Sequence, residues 1–112
     1  MTTTTHLSPS VSSYLHLASA DDKTPAAELF TVDAVVRDND DVRTGRDAIR
    51  AWLAGSASEY TYTSTLLTAE ESDGVARLSM LLEGDFPGGR VTLNYRFELD
   101  ADGLIGALTI SV

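Results

Sequence analysis

The stretch ELFTVDAVVRDND, residues 28 to 40, runs from an apolar segment (Ala34, Val35, Val36) into a charged cluster of Arg37, Asp38, Asn39 and Asp40. A carboxylate at such a junction has two readings. In the first, Asp38 is a turn residue whose side chain bonds its own backbone. In the second, it is held at the mouth of a pocket as a general base. Removing a proton from carbon beside a carbonyl needs a base within hydrogen-bond reach of that carbon. It also needs donors where negative charge develops on oxygen. Asp38 lies just beyond the apolar Val35-Val36 pair, past Arg37, and is expected to point inward, with Asp40 and Asp41 in solvent.

Other residue types narrow the chemistry. The chain has no cysteine, so disulfides and thiolate metal sites are excluded. Its two histidines, His6 and His16, are too few for a zinc site, and no metal or cofactor is expected. His16 falls roughly opposite Tyr14 and Ala18 on a helical wheel, which places it at the surface. Tyr14 lies on an apolar helical face, as a core aromatic with its hydroxyl at a wet edge. Trp52 and Tyr95 read as core or pocket wall. Tyr60 and Tyr62 share a strand face and either line a pocket or pack at an interface. Arg77 is a strand arginine with no acidic pair to frame it.

The elements that must position these groups follow from period and punctuation. Ser8-Pro9 reads as an N-cap and first helical residue. Val11, Tyr14, Leu15 and Ala18 then repeat at helical spacing, with a stop near Asp21-Asp22. Thr24-Pro25 opens a short second helix through Leu29 and Phe30. A short strand over about 34–37 and a polar loop come next. Thr44 and Asp47 resemble a capping box ahead of a third helix with Ala48, Ile49, Trp52 and Leu53 buried, stopped by Gly55. From Glu59 the period becomes 2. Strands are expected from Glu59 to Leu67, Val75 to Glu83, Arg90 to Leu99 and Leu104 to Val112. Turns at Ser72-Asp73-Gly74, Phe86-Pro87-Gly88-Gly89 and Asp102-Gly103 separate them. Val91, Leu93, Tyr95 and Phe97 share one face. Helices first and strands last indicate an α+β fold with helices on one face of a curved sheet.

At 112 residues the chain reads as one domain, 1–112, with residues 1–7 as a flexible tail. Seventeen acidic against eight basic residues give a net charge of -9. That charge disfavours nucleic acid and anionic membranes as partners. No apolar run is long enough to span a bilayer, and the N-terminus lacks the features of a signal peptide. A cytoplasmic protein is the expectation.

The segments LFTVDAVVRDND, TGRDAIRAWL and GDFPGGRVTLNYRFELDADGLIGALTI, with their order and spacing, resemble the NTF2-like superfamily, in particular its SnoaL-like and ketosteroid-isomerase-like branch. The resemblance implies a cone-shaped curved antiparallel sheet wrapped around N-terminal helices (the NTF2-like or cystatin-like fold). It also implies an apolar pocket at the wide end and a homodimer through the outer sheet face. In ketosteroid isomerases an aspartate after the first strand is the base, and Asp38 matches it. A tyrosine on the first helix donates to the substrate oxyanion, and Tyr14 matches it. A protonated acid is the second donor; Leu93 falls there and cannot donate, a departure from the pattern. Trp52, Leu93, Tyr95 and Phe97 are the expected pocket walls. The implied function is binding of a small hydrophobic ligand, with ketosteroid-isomerase-like or polyketide-cyclase-like proton transfer. The alternative is a non-catalytic ligand-binding or dimerisation domain.

Overall fold

In the computed structural model, residues 7–18, 20, 22–55 and 60–112 are described. The sheet is built from hairpins whose turns the sequence specifies. Asp73 and Gly74 form a two-residue connection with φ of 54° and 77°. Both values suit the primed turn that matches strand twist, and they join β3 (Tyr62–Ser72) to β4 (Val75–Gly84). Asp100 organises the next tight turn: its carboxylate accepts from the backbone N–H of Asp102 (2.9 Å) and Leu104 (3.0 Å). This turn connects β5 (Arg90–Leu99) to β6 (Ile105–Ser111).

The six strands lie in the order β2-β1-β6-β5-β4-β3. β1 spans Phe30–Asp38 and β2 spans Asp41–Thr44. β1 runs parallel to β6, and the other pairs are antiparallel. A register shift between Leu66 and Thr68 marks a bulge in β3, and bulges of this kind bend a strand and raise its twist. Tyr62, Ser64 and Leu66 share the inner side, as their alternation predicts. Beyond the bulge Ala69 takes that side, opposite Leu78.

One face of the curved sheet carries the helices. α1 (Pro9–Ala18) buries Val11 and Tyr14. A 3-10 helix over Thr24–Leu29 buries Ala26 and Ala27. α2 (Arg46–Ala54) buries Ile49, Trp52 and Leu53. These join Phe30, Ala34, Val36, Ala76, Leu78, Phe97, Ile105, Leu108 and Ile110 in one apolar cluster. The alternation on β5 holds: Val91, Leu93, Tyr95 and Phe97 face the helices, and Thr92, Asn94, Arg96 and Glu98 are exposed.

Several local expectations differ from the structure. β1 begins at Phe30 rather than Ala34, because the chain passes directly from the 3-10 helix into the sheet. The expected polar loop is a hairpin, with Asn39 at φ 55° and β2 as a charged edge strand. No capping box forms at Thr44, because Thr44 is paired in β2 opposite Val35. Gly45, at φ 92°, precedes α2 without a side-chain cap. The Arg46 guanidinium instead donates to the Phe30 carbonyl from Nη2 (2.6 Å) and Nε (3.1 Å), fastening α2 to the start of β1. Ser8 turns its hydroxyl to the Glu71 carboxylate, and its N–H donates to the same group at 2.9 Å. α1 ends at Ala18; Asp21 lies outside the described residues. So do 1–6 of the expected tail and Glu59, whereas Leu7 packs against the core.

Candidate active site

Asp38 is the last residue of β1, pairing with Asp41 across the hairpin and with Ile110 of β6. Its backbone is therefore fixed on both sides, and its side chain is half-buried. Trp52, nearly buried on α2, donates its indole N–H to Asp38 Oδ2 at 3.2 Å. The bond gives one carboxylate oxygen a fixed partner. Asp40 and Asp41 are exposed, as expected.

Tyr14 reaches the same place from α1. Its ring stands edge-on to Phe30 (5.9 Å between centroids) and to Phe97 (5.3 Å). Tyr95 stacks on Phe97 at 6.2 Å with 14° between planes. Edge-to-face and offset-stacked geometries suit the ring quadrupoles, so Phe97 holds two tyrosines in place. Tyr62 enters at the start of β3, opposite Gly84. A Cβ on Gly84 would lie 2.2 Å from the Thr61 carbonyl oxygen, so the strands close here only over glycine.

These side chains surround a recess of about 160 Å³, lined by Tyr14, Lys23, Asp38, Trp52, Tyr62, Leu93 and Tyr95 together with Ala18, Leu53, Leu82 and Ile110. Asp38, Tyr14, Trp52, Leu93 and Tyr95 are thus brought together. Phe97 is not: it is fully buried and lines no part of the recess, because Tyr14 and Tyr95 cover it. Lys23 escaped the sequence reading. It belongs to the connection between α1 and the 3-10 helix, where no periodicity signals which way a side chain points. Tyr62 lines the recess.

Burial, first, pushes the Tyr14 hydroxyl well above the ordinary phenol range, and the neighbouring Tyr95, Tyr62 and Asp38 add to it. Tyr95 is raised by burial, then by Tyr62 and Asp38. Tyr62 is raised by burial, then by Asp38. A phenolate beside the Asp38 carboxylate would be a second negative charge in a poorly solvated place. At neutral pH the recess therefore offers one acidic side chain and three phenolic hydroxyls kept protonated.

Leu93 lies half-buried on this recess. Leu93→Asp is expected to keep a cooperative thermal transition and cost about 1–2 kcal/mol, since the new carboxyl reaches solvent through the recess. The same change at fully buried Leu108 should cost more than about 4 kcal/mol. Thermal melts of the two variants check this. Equal collapse of both would mean that Leu93 sits in dry core.

Among the described residues, no three His, Cys, Asp or Glu side chains converge as a metal site would need. No described helix is long and apolar enough to cross a membrane. Arg77 lies on the opposite face of the sheet, in a groove of about 540 Å³ that also takes in Glu70, Asn94 and Arg96. The groove is larger than the recess, but its polar strand residues are turned away from Asp38.

Residues 11–106 match the family model of the SnoaL-like domain. No curated protein matches the sequence significantly. Among solved structures, the chain is similar to a proposed polyketide cyclase from Sinorhizobium meliloti. The two are 31% identical with a TM-score of 0.85, over 94% of this chain and 95% of that one. It is also similar to a protein of ketosteroid isomerase-like fold from Catenulispora acidiphila, solved with trimethylamine. There the identity is 16% and the TM-score 0.81, over 95% of this chain and 87% of that one. An epoxide hydrolase/cyclase-like enzyme of pyran-ring formation in the polyether salinomycin shares the fold at 22% identity. Its TM-score is 0.70, over 90% of this chain and 85% of that one.

Proposed function

The chain belongs to the SnoaL-like family of the NTF2-like superfamily, and from that premise we propose that it binds a small carbonyl compound at Asp38 and moves a proton on the carbon beside the carbonyl. The observation that carries this is the meeting of a half-buried carboxylate and a neutral, buried phenol on one recess. In the proposed step the Asp38 carboxylate takes the proton. The C–H electron pair moves into the bond to the carbonyl carbon, and the carbonyl π pair moves to oxygen. The Tyr14 hydroxyl donates to that oxygen as it becomes negative. Protonated Asp38 then returns the proton to carbon; or, in a cyclisation, the enolate carbon attacks a second carbonyl of the same molecule, whose π pair moves to its oxygen, and that oxygen takes the proton from Asp38. The resemblance to a proposed polyketide cyclase supports substrates with an activated methylene. Leu93 supplies no donor at the position that the resemblance gives to the second oxyanion donor, which favours an activated ketone over an unactivated one.

Binding can be followed without assuming turnover. Trp52 is the sole tryptophan, and its indole N–H is bonded to Asp38. Adding 1-phenylpropan-2-one should shift the single indole ¹H–¹⁵N resonance in a saturable way. An unmoved indole signal at millimolar ketone would argue against the recess as the binding site.

We also propose a homodimer through the outer sheet face. Thr92, Asn94, Arg96 and Glu98 are exposed there, and the groove beside them is open. The interface would be polar and wet. Sedimentation equilibrium at micromolar protein should give twice the 12.0 kDa chain mass, and a clean monomer would count against it.

A further inference from the structure

The chain contains one lysine, Lys23, and the fold sets it on the same recess as Asp38. Its ammonium lies 5.5 Å from the centre of the Tyr62 ring and donates to the Ala20 carbonyl at 3.2 Å. Those contacts hold the side chain in place and leave further N–H groups on a three-donor ammonium. The ion pairs among the described residues are Arg43–Asp41, Arg50–Glu28, Arg50–Asp47 and Arg96–Glu98, so Lys23 has no carboxylate partner there. Its neighbour Asp22 is occupied with Thr24, accepting from the backbone N–H at 3.0 Å and the hydroxyl at 2.7 Å. Asp38 shares the recess without forming an ion pair to Lys23.

A protein of net charge -9 with an acid in its recess would repel an anionic ligand. Lys23 places one positive charge against that, at one wall. We infer that the recess selects an acidic carbonyl compound, whose carboxylate pairs with the Lys23 ammonium while its acidic methylene lies against Asp38. The second half rests on the proton-transfer reading above; the charge preference does not. A recess of about 160 Å³ suits one aromatic ring with a short side chain. Lys23 is then the specificity-determining residue, and it sets which carbonyl compounds reach the base.

Two probes of one skeleton isolate the charge: phenylpyruvate, and 1-phenylpropan-2-one, in which a methyl replaces the carboxylate. Their dissociation constants are read from the Trp52 indole resonance. The wild type should favour the acid about tenfold, the gain expected of a charge-assisted hydrogen bond. Lys23→Met should bring the ratio to about one, and Lys23→Arg should keep most of it. Acetylating the folded wild-type protein, whose lysine is unique, should erase the preference as Lys23→Met does. Equal affinities in the wild type, a preference that survives in Lys23→Met, or binding of neither probe would overturn the inference. A Lys23-dependent preference without proton exchange would remove the role given to Asp38 and leave this inference standing. Exchange that depends on Asp38, with no charge preference, would do the reverse.

Discussion

Asp38→Asn is expected to lower kcat/KM for enolisation of 1-phenylpropan-2-one by about 10²–10⁴, the usual contribution of a positioned base. Folding should change little. Asparagine keeps the shape of the side chain, and its carbonyl oxygen can accept the Trp52 indole N–H that now goes to Asp38 Oδ2. What is lost is the negative charge and the basic oxygen. Asp40→Asn, two residues on and exposed, should leave the rate unchanged. Initial rates for the three proteins at equal concentration decide the matter. Equal rates for the wild type and Asp38→Asn would return Asp38 to a turn residue.

Phe97→Ala should lower stability by about 3–5 kcal/mol. Phe97 is fully buried, and it supports the Tyr14 ring edge-on and the Tyr95 ring by stacking. Removing it leaves a cavity beneath two of the hydroxyl-bearing walls of the recess. Phe97→Leu should restore most of the stability while losing the ring contacts, worth about 0.5–1.5 kcal/mol each. Chemical denaturation measures both variants. A cost below about 1 kcal/mol for the alanine variant would mean that Phe97 is not the support of this site.

The faces on which Tyr14, Trp52, Leu93 and Tyr95 lie were legible because period decides faces, whereas a recess shared with Asp38 was implied by the family resemblance alone. Helical spacing turned Tyr14 and Trp52 toward the sheet, and strand alternation turned Leu93 and Tyr95 toward the helices. Period says nothing about depth along a strand. Phe97 shares the face of Leu93 and Tyr95, yet it lies further along β5, beneath α1, and became core. β2 was hidden because an exposed, charged edge strand has no apolar alternation to display. The capping box failed for a related reason: strand pairing claimed Thr44 before α2 could use it. Lys23 was invisible because a residue in a connection takes its direction from the tertiary fold alone. Asp38 itself carried two readings in sequence, since an aspartate ending a strand has the same neighbours whether it serves a turn or a pocket.

Deuterium uptake is the most direct test of Asp38 as a proton carrier. Wild-type protein and Asp38→Asn are incubated with 1-phenylpropan-2-one in D₂O at neutral pD, and the benzylic methylene signal is followed by proton NMR. A buffer containing acetate at the same carboxylate concentration is the reference. Wild-type protein should exchange the benzylic protons faster than this reference, and Asp38→Asn should not. Wild-type exchange no faster than acetate, or equal exchange by Asp38→Asn, would contradict the assignment of Asp38 as the base.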